Sequence, residues 1–299
     1  MTTAPQPAPA QMPDRPMTGA AILFGGILAV AMMDVCGKLL SAQMAVAQVS
    51  WARFFFHFLI LSPFALLAFA RGGAAGYVVA ARAWRWNLLR GALIAASSMS
   101  FFGAIQHNPV PDALAVFFIE PLFVAILARW LLGEKSRGRI VAACAVGFGG
   151  VLVILRPGGG DYHWTIIFAP IAALFFAGYI VSARAASTSS PPLATSWYSA
   201  FFAMLLSLPA ALWLWTPPTS DLWFDMAVLG LLAAIGHTLI ILSCRYAPAA
   251  QMAVLHYSEV AVAVIISWIV FAHFPGKWFW LGAILIFSAK FLALSKPKQ

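Results

Sequence analysis

Along the 299 residues, apolar stretches of about 18 to 25 positions alternate with short polar segments. An α-helix needs roughly 20 such residues to cross ~30 Å of hydrocarbon at ~1.5 Å per residue. The pattern predicts ten spans, at roughly 17–40, 46–70, 86–106, 110–132, 138–155, 163–184, 192–214, 224–246, 249–272 and 276–294. These runs are continuous and too long for the ~10-residue alternating strands of a membrane barrel. Hydrocarbon offers backbone groups no water, so the expected fold is an all-α integral membrane bundle of ten transmembrane helices. The first sixteen residues, MTTAPQPAPAQMPDRP, hold five prolines and no apolar run. They read as a disordered cytoplasmic tail at 1–16 rather than a signal peptide.

Composition agrees, with 63% hydrophobic and only 9% charged residues. The net charge of +9 raises nucleic acid as a partner, but the basic residues alternate by loop instead of clustering with aromatics on one soluble face. Arg71, Arg82, Arg85, Lys135, Arg137, Arg139, Arg184, Arg245, Lys296 and Lys298 fall on one side, whereas the other side offers Arg156 and Lys277 with Asp112, Asp161 and Asp221. By the positive-inside rule the chain is expected in the cell inner membrane with both termini cytoplasmic. Cys36, Cys144 and Cys244 fall inside spans without metal-ligand spacing and read as packing residues. No cofactor is implied. There is no GxxxxGK[ST] phosphate loop and no nucleophile with its base, which argues against ATP-driven pumping and against an intramembrane enzyme.

The chain repeats itself. A shift of 139 (259 − 120) superposes Glu120 on Glu259, Gly91 on Gly230, Trp84 on Trp223 and Pro109 on Pro248. Upstream, a shift of 146 superposes Lys38 on Arg184, Trp51 on Trp197, Phe56 on Phe202 and Pro63 on Pro209. The chain thus divides into five-helix halves at 17–155 and 163–294. Since five is odd, the second half enters the membrane in the opposite sense, as in secondary transporters with a midplane site between inverted repeats.

Four stretches, GKLL at 37–40, WARFFF at 51–56, IEPLFVAILARWLLGEK at 119–135 and GFGGVLVI at 147–154, resemble the drug/metabolite transporter superfamily in its ten-helix form with two EamA-type repeats. The resemblance implies a secondary transporter working by alternating access, similar to bacterial exporters of aromatic and other neutral amino acids. A broad exporter of small drugs or metabolites is the alternative on the same scaffold. The implied partners are a small-molecule substrate, membrane lipids and, as a candidate coupling ion, protons, with the monomer as the functional unit.

Polar residues inside the spans are the candidates for substrate binding or coupling. Glu120, beside Pro121, either knits helices together as a protonated carboxyl or meets a substrate amine or proton. Glu259 follows His256 at i,i+3, one helix face, with Tyr257 between them. Asp34 and Lys38 stand i,i+4 and either neutralise each other or leave Lys38 for a substrate carboxylate. His57, Tyr179 and His237 are candidate cavity residues, and Ser97 is weighed between helix packing and substrate contact. Arg53, two residues after Trp51, reads as snorkelling toward an interface. Tryptophans at span ends, among them Trp84, Trp86, Trp213, Trp215, Trp278 and Trp280, read as interfacial belts. The orientation has a direct test. In a cysteine-free background, Thr219→Cys should react with a membrane-impermeant maleimide added to intact cells; labelling only after permeabilisation would reverse the topology.

Overall fold

A computed structural model describes residues 16–71, 77, 84–132, 138–156, 162–185, 192–243, 258–272 and 274–294. Regular structure among them is helical throughout: α1 (Pro16–Ser41), α2 (Val46–Ala70), α3 (Trp84–His107), α4 (Val110–Phe117), α5 (Glu120–Leu132), α6 (Gly138–Leu155), a 3₁₀ turn (Trp164–Ile167), α7 (Phe168–Ala185), α8 (Pro192–Trp213), α9 (Ser220–Ser243), α10 (Ser258–Phe271) and α11 (Lys277–Leu294). Six stretches among the described residues, within α1, α2, α3, the 3₁₀ turn with α7, α8 and α9, are long and apolar enough to cross a membrane. The apolar stretches in α6, α10 and α11 are shorter.

The expected single helix over 110–132 is corrected to two pieces. At the end of α4 the Phe118 N–H donates to Leu114 O at 3.0 Å, and the Ile119 N–H reaches Val116 O at 3.2 Å, an i−3 contact that tightens and ends the turn. Pro121 then occupies the second position of α5, where its missing donor costs nothing because the first turn has no intrahelical acceptor. Glu120 opens α5, and a carboxylate in a first turn is favoured by the positive end of the helix dipole.

Small residues set how closely the helices approach, as expected where lipid is as apolar as leucine and packing must supply the attraction. A Cβ on Gly91 of α3 would lie 2.5 Å from Phe202 Cβ of α8, and one on Gly230 of α9 would intrude on Phe56 of α2. The counterparts are paired crosswise: Gly91 and Gly230 stand 139 apart (230 − 91), Phe56 and Phe202 146 apart (202 − 56). Gly26 of α1 and Gly236 of α9 each face the other's carbonyl, and so do Gly150 of α6 and Gly282 of α11. Beyond these contacts, α2 lies along α8, α3 along α7, and α5 against α7 much as α10 lies against α1.

One end of the bundle is tied by polar contacts. The Lys38 ammonium donates to Ile105 O at 2.8 Å and to Asn108 O, capping the free carbonyls at the C-terminal end of α3. Asn108 accepts from the His163 N–H at 2.9 Å, and Gln48 of α2 donates to Thr216 O at 2.8 Å. Trp51 meets Trp215 edge-on at 5.5 Å. Trp84 and Trp213, by contrast, point outward as belt residues should.

The glycine contacts make a stability prediction. Gly230→Ala should destabilise the bundle by about 1–3 kcal/mol through overpacking, outweighing the ~1 kcal/mol that alanine gains in helix propensity. Gly149→Ala, where nothing lies within 4 Å of the new Cβ, should leave stability unchanged or raise it. Thermal unfolding in detergent compares the two.

Candidate functional site

A cavity of about 260 Å³ opens in the middle of the bundle, walled by α1, α2, α3, α4, α7, α9 and α10. Most of its surface is apolar. Phe101 of α3 meets Phe117 of α4 at 5.4 Å, Phe117 meets Phe176 of α7 at 5.5 Å, and Phe176 meets Tyr179 at 5.8 Å, so one continuous aromatic wall runs across three helices. Phe102 completes the α3 side, seated against Gly37 of α1 where any Cβ would collide with its ring.

Into this apolar space the bundle points Asp34 of α1, Arg53 of α2 and Glu259 of α10, exposed by only 3%, 4% and 4%. The Asp34 carboxylate feels both the Arg53 guanidinium and the Glu259 carboxylate, and Arg53 also faces the Tyr179 hydroxyl. The guanidinium stacks 4.7 Å over the Phe54 ring, and its Nη2 contacts His237 Nε2. Because guanidinium only donates, His237 Nε2 is the acceptor, which assigns the ring proton to Nδ1 and leaves the imidazole neutral. Arg53 Nε is buried without a hydrogen-bond partner among the described residues. Ser98 Oγ is another such atom on the cavity wall, whereas Ser97 Oγ donates to Ala172 O at 2.9 Å.

Five of the residues singled out from the sequence line this space: Asp34, Ser97, Tyr179, His237 and Glu259. His57 stands just behind it. Its Nε2 lies 3.0 Å from Ser196 Oγ, and its ring stacks on His237 at 6.2 Å. Lys38 is drawn away to the end of α3, so it neither lines the cavity nor stands as Asp34's sole counter-charge. Glu120, half-buried at the start of α5, is not among the lining residues. His256 and Tyr257 lie outside the described residues. The residue that sequence reasoning misplaced is Arg53, which turns inward rather than snorkelling. The available signal was the i,i+4 pair Arg53 and His57, a polar stripe on an otherwise apolar helix.

Comparison with known proteins follows the same lines. A protein named S-adenosylmethionine uptake transporter, from Rickettsia prowazekii, is 28% identical over 269 residues, covering 89% of this chain and 88% of its own. A riboflavin transporter of Brucella anthropi is 29% identical over 211 residues, covering 68% and 74%. A pseudopaline exporter of Pseudomonas aeruginosa is 25% identical over 217 residues, covering 71% and 75%. A crystal structure superposes with a TM-score of 0.64 at 17% identity, covering 93% of this chain and 96% of that one, a likeness of fold. The EamA-like transporter family matches residues 17–156 and again 163–295. This chain belongs to the EamA-like transporter family and is a multi-pass membrane transporter.

Proposed function

We propose that the protein is a secondary transporter of small amino-acid-type metabolites, molecules with an ammonium–carboxylate head and a ring or other apolar part, working by alternating access between two inverted five-helix halves in the inner membrane. The observation that carries this is the cavity itself: two carboxylates and one guanidinium, buried together beside an aromatic wall. Arg53 would take the substrate carboxylate through its fixed fork of donors, Asp34 and Glu259 its ammonium, and the Phe101–Phe117–Phe176 wall its ring. Paired matches of the family to two successive stretches and the crosswise Gly91–Phe202 and Gly230–Phe56 contacts support the halves as rocking units. Free aromatic and other neutral amino acids, expected from the sequence resemblance, belong to this class. S-adenosylmethionine, carried by the Rickettsia relative according to its name, belongs to it as well. The riboflavin-carrying relatives favour a second reading, a transporter broad in its choice of ring-bearing metabolites.

Uptake into proteoliposomes holding only this protein separates the two. Radiolabelled S-adenosylmethionine, phenylalanine, tryptophan and riboflavin are offered in turn. Accumulation of an amino-acid-type molecule but not riboflavin supports the first reading, uptake of riboflavin alongside the amino-acid-type molecules the second. Arg53→Gln should raise the half-saturating concentration of the amino-acid-type substrate about 10- to 100-fold, the equivalent of losing ~1.5–3 kcal/mol of charge-assisted hydrogen bonding. A wild-type concentration dependence in that variant would remove Arg53 from the site.

A further inference from the structure

The cavity-facing stripe of α3 does not stop at the cavity. Ile94, Ser97, Ser98 and Phe101 line it, and the same face, continued one and two turns toward Trp84, carries Arg90 and Asn87, exposed by only 8% and 4%. Other helices extend it at that end. On α2, His57 follows Arg53 by one turn, and its ring meets Ser196 of α8. Ser199 of α8 is buried with its hydroxyl unpartnered among the described residues. A seam of buried polar groups thus leads from the cavity toward the Trp84 end. It runs between α2 and α3, inside the first family-matched stretch, and α7 and α8, inside the second. The opposite end is the one tied by Lys38, Asn108 and His163.

Arg90 brings a guanidinium to this seam. It stacks over the Tyr179 ring at 5.3 Å, and its Nε is buried without a hydrogen-bond partner among the described residues. A ring face attracts the cation but does not engage the donors in the guanidinium plane. A guanidinium inside a membrane bundle is costly, and residues of this kind mark substrate paths. Tyr179 lines the cavity and faces Arg53 with its hydroxyl. One aromatic ring therefore stands between two guanidiniums, one in the cavity and one on the seam beyond it. We propose that Arg90 is a second station for the substrate's carboxylate, occupied on the way between the cavity and the Trp84 end when the seam opens. The carboxylate passes along Tyr179 from one planar fork of donors to the next, and so is not left in hydrocarbon without a partner. The inference rests on the ammonium–carboxylate reading of the cargo given above and extends it to the path.

Ser199 is the reporter, because it stands one helical turn from Ala203, whose backbone meets Gly91 next to Arg90. In a background lacking Cys36, Cys144 and Cys244, Ser199→Cys is treated with anionic 2-sulfonatoethyl methanethiosulfonate and with cationic 2-(trimethylammonio)ethyl methanethiosulfonate, both faces of the membrane being open to reagent. The ratio of the two rates cancels any change in the thiol's own acidity. It should exceed the ratio for 2-mercaptoethanol in buffer by about tenfold, since a buried cation concentrates anions in a narrow path. It should fall toward the free-thiol value when Arg90→Gln is added and persist in Arg90→Lys. No modification by either reagent would deny that the seam opens. A ratio at the free-thiol value, or one that Arg90→Gln leaves unchanged, would overturn the anion station. Should Arg90→Gln fail to assemble, the comparison with free thiol decides alone. These reagents carry no amino-acid head, so the result stands apart from the proposed substrate class. Competition for uptake then ties the station to cargo: Arg90→Gln should weaken phenylalanine about fivefold or more while sparing phenylalaninamide, which has no carboxylate. Equal weakening of both would reduce Arg90 to a packing residue. If neither compound competes in the native protein, the amino-acid-type reading fails for these probes, and the reagent ratio still decides the station.

Discussion

Asp34, Arg53 and Glu259 sit at most 4% exposed inside a bundle built for hydrocarbon, and burying a charge there costs several kcal/mol unless the protein or a ligand answers it. The placement of the helices follows from that requirement. The three charges come from different helices, α1, α2 and α10, so they can answer one another only across helices. They meet only when the tertiary structure brings the helices together. The hydrogen bond from Arg53 to His237 recruits a fourth helix, α9, and the stacked His57 ties the arrangement back to α8 through Ser196.

Glycine provides the closeness that this arrangement demands. Gly37 admits Phe102 against α1, Gly91 admits Phe202 against α3, and Gly230 admits Phe56 against α9, so bulky rings fill notches instead of wedging helices apart. Dispersion between well-fitted surfaces replaces the hydrophobic effect, which is weak between helices in lipid. The same contacts are compatible with motion. Close, smooth backbone faces can slide or tilt by small amounts while the polar ties at Lys38 and Gln48 hold one end together.

Much of this was legible in the sequence, for physical reasons that differ residue by residue. Helices such as α1, α2 and α3 follow from uninterrupted apolar length, because the bilayer imposes that length on any span. Asp34, His237 and Glu259 were legible as site candidates because an ionisable residue in hydrocarbon has to face inward. The break before Glu120 was less so: a proline marks a discontinuity, but whether a helix bends or restarts depends on how the turn before it closes, here through the Ile119 N–H to Val116 O contact. Lys38 illustrates the same limit. Its spacing from Asp34 promised an intrahelical pair, yet the unsatisfied carbonyls at the end of α3, remote in sequence by 67 and 70 residues, took the ammonium. Arg53 was misplaced because snorkelling is a rule about depth, whereas its partners Asp34, Tyr179 and His237 come from other helices.

The central claim is that the charged aromatic cavity is where substrate resides during transport. Ser98 is the best reporter, since its hydroxyl is buried on the cavity wall without a hydrogen-bond partner among the described residues, and cysteine replaces it with little change in volume. The measurement is the rate at which a small methanethiosulfonate reagent modifies Ser98→Cys in a background lacking Cys36, Cys144 and Cys244, with and without a saturating transported substrate. The account predicts modification that slows several-fold when substrate is present. Modification at the same rate with and without a substrate that the same preparation transports would contradict it.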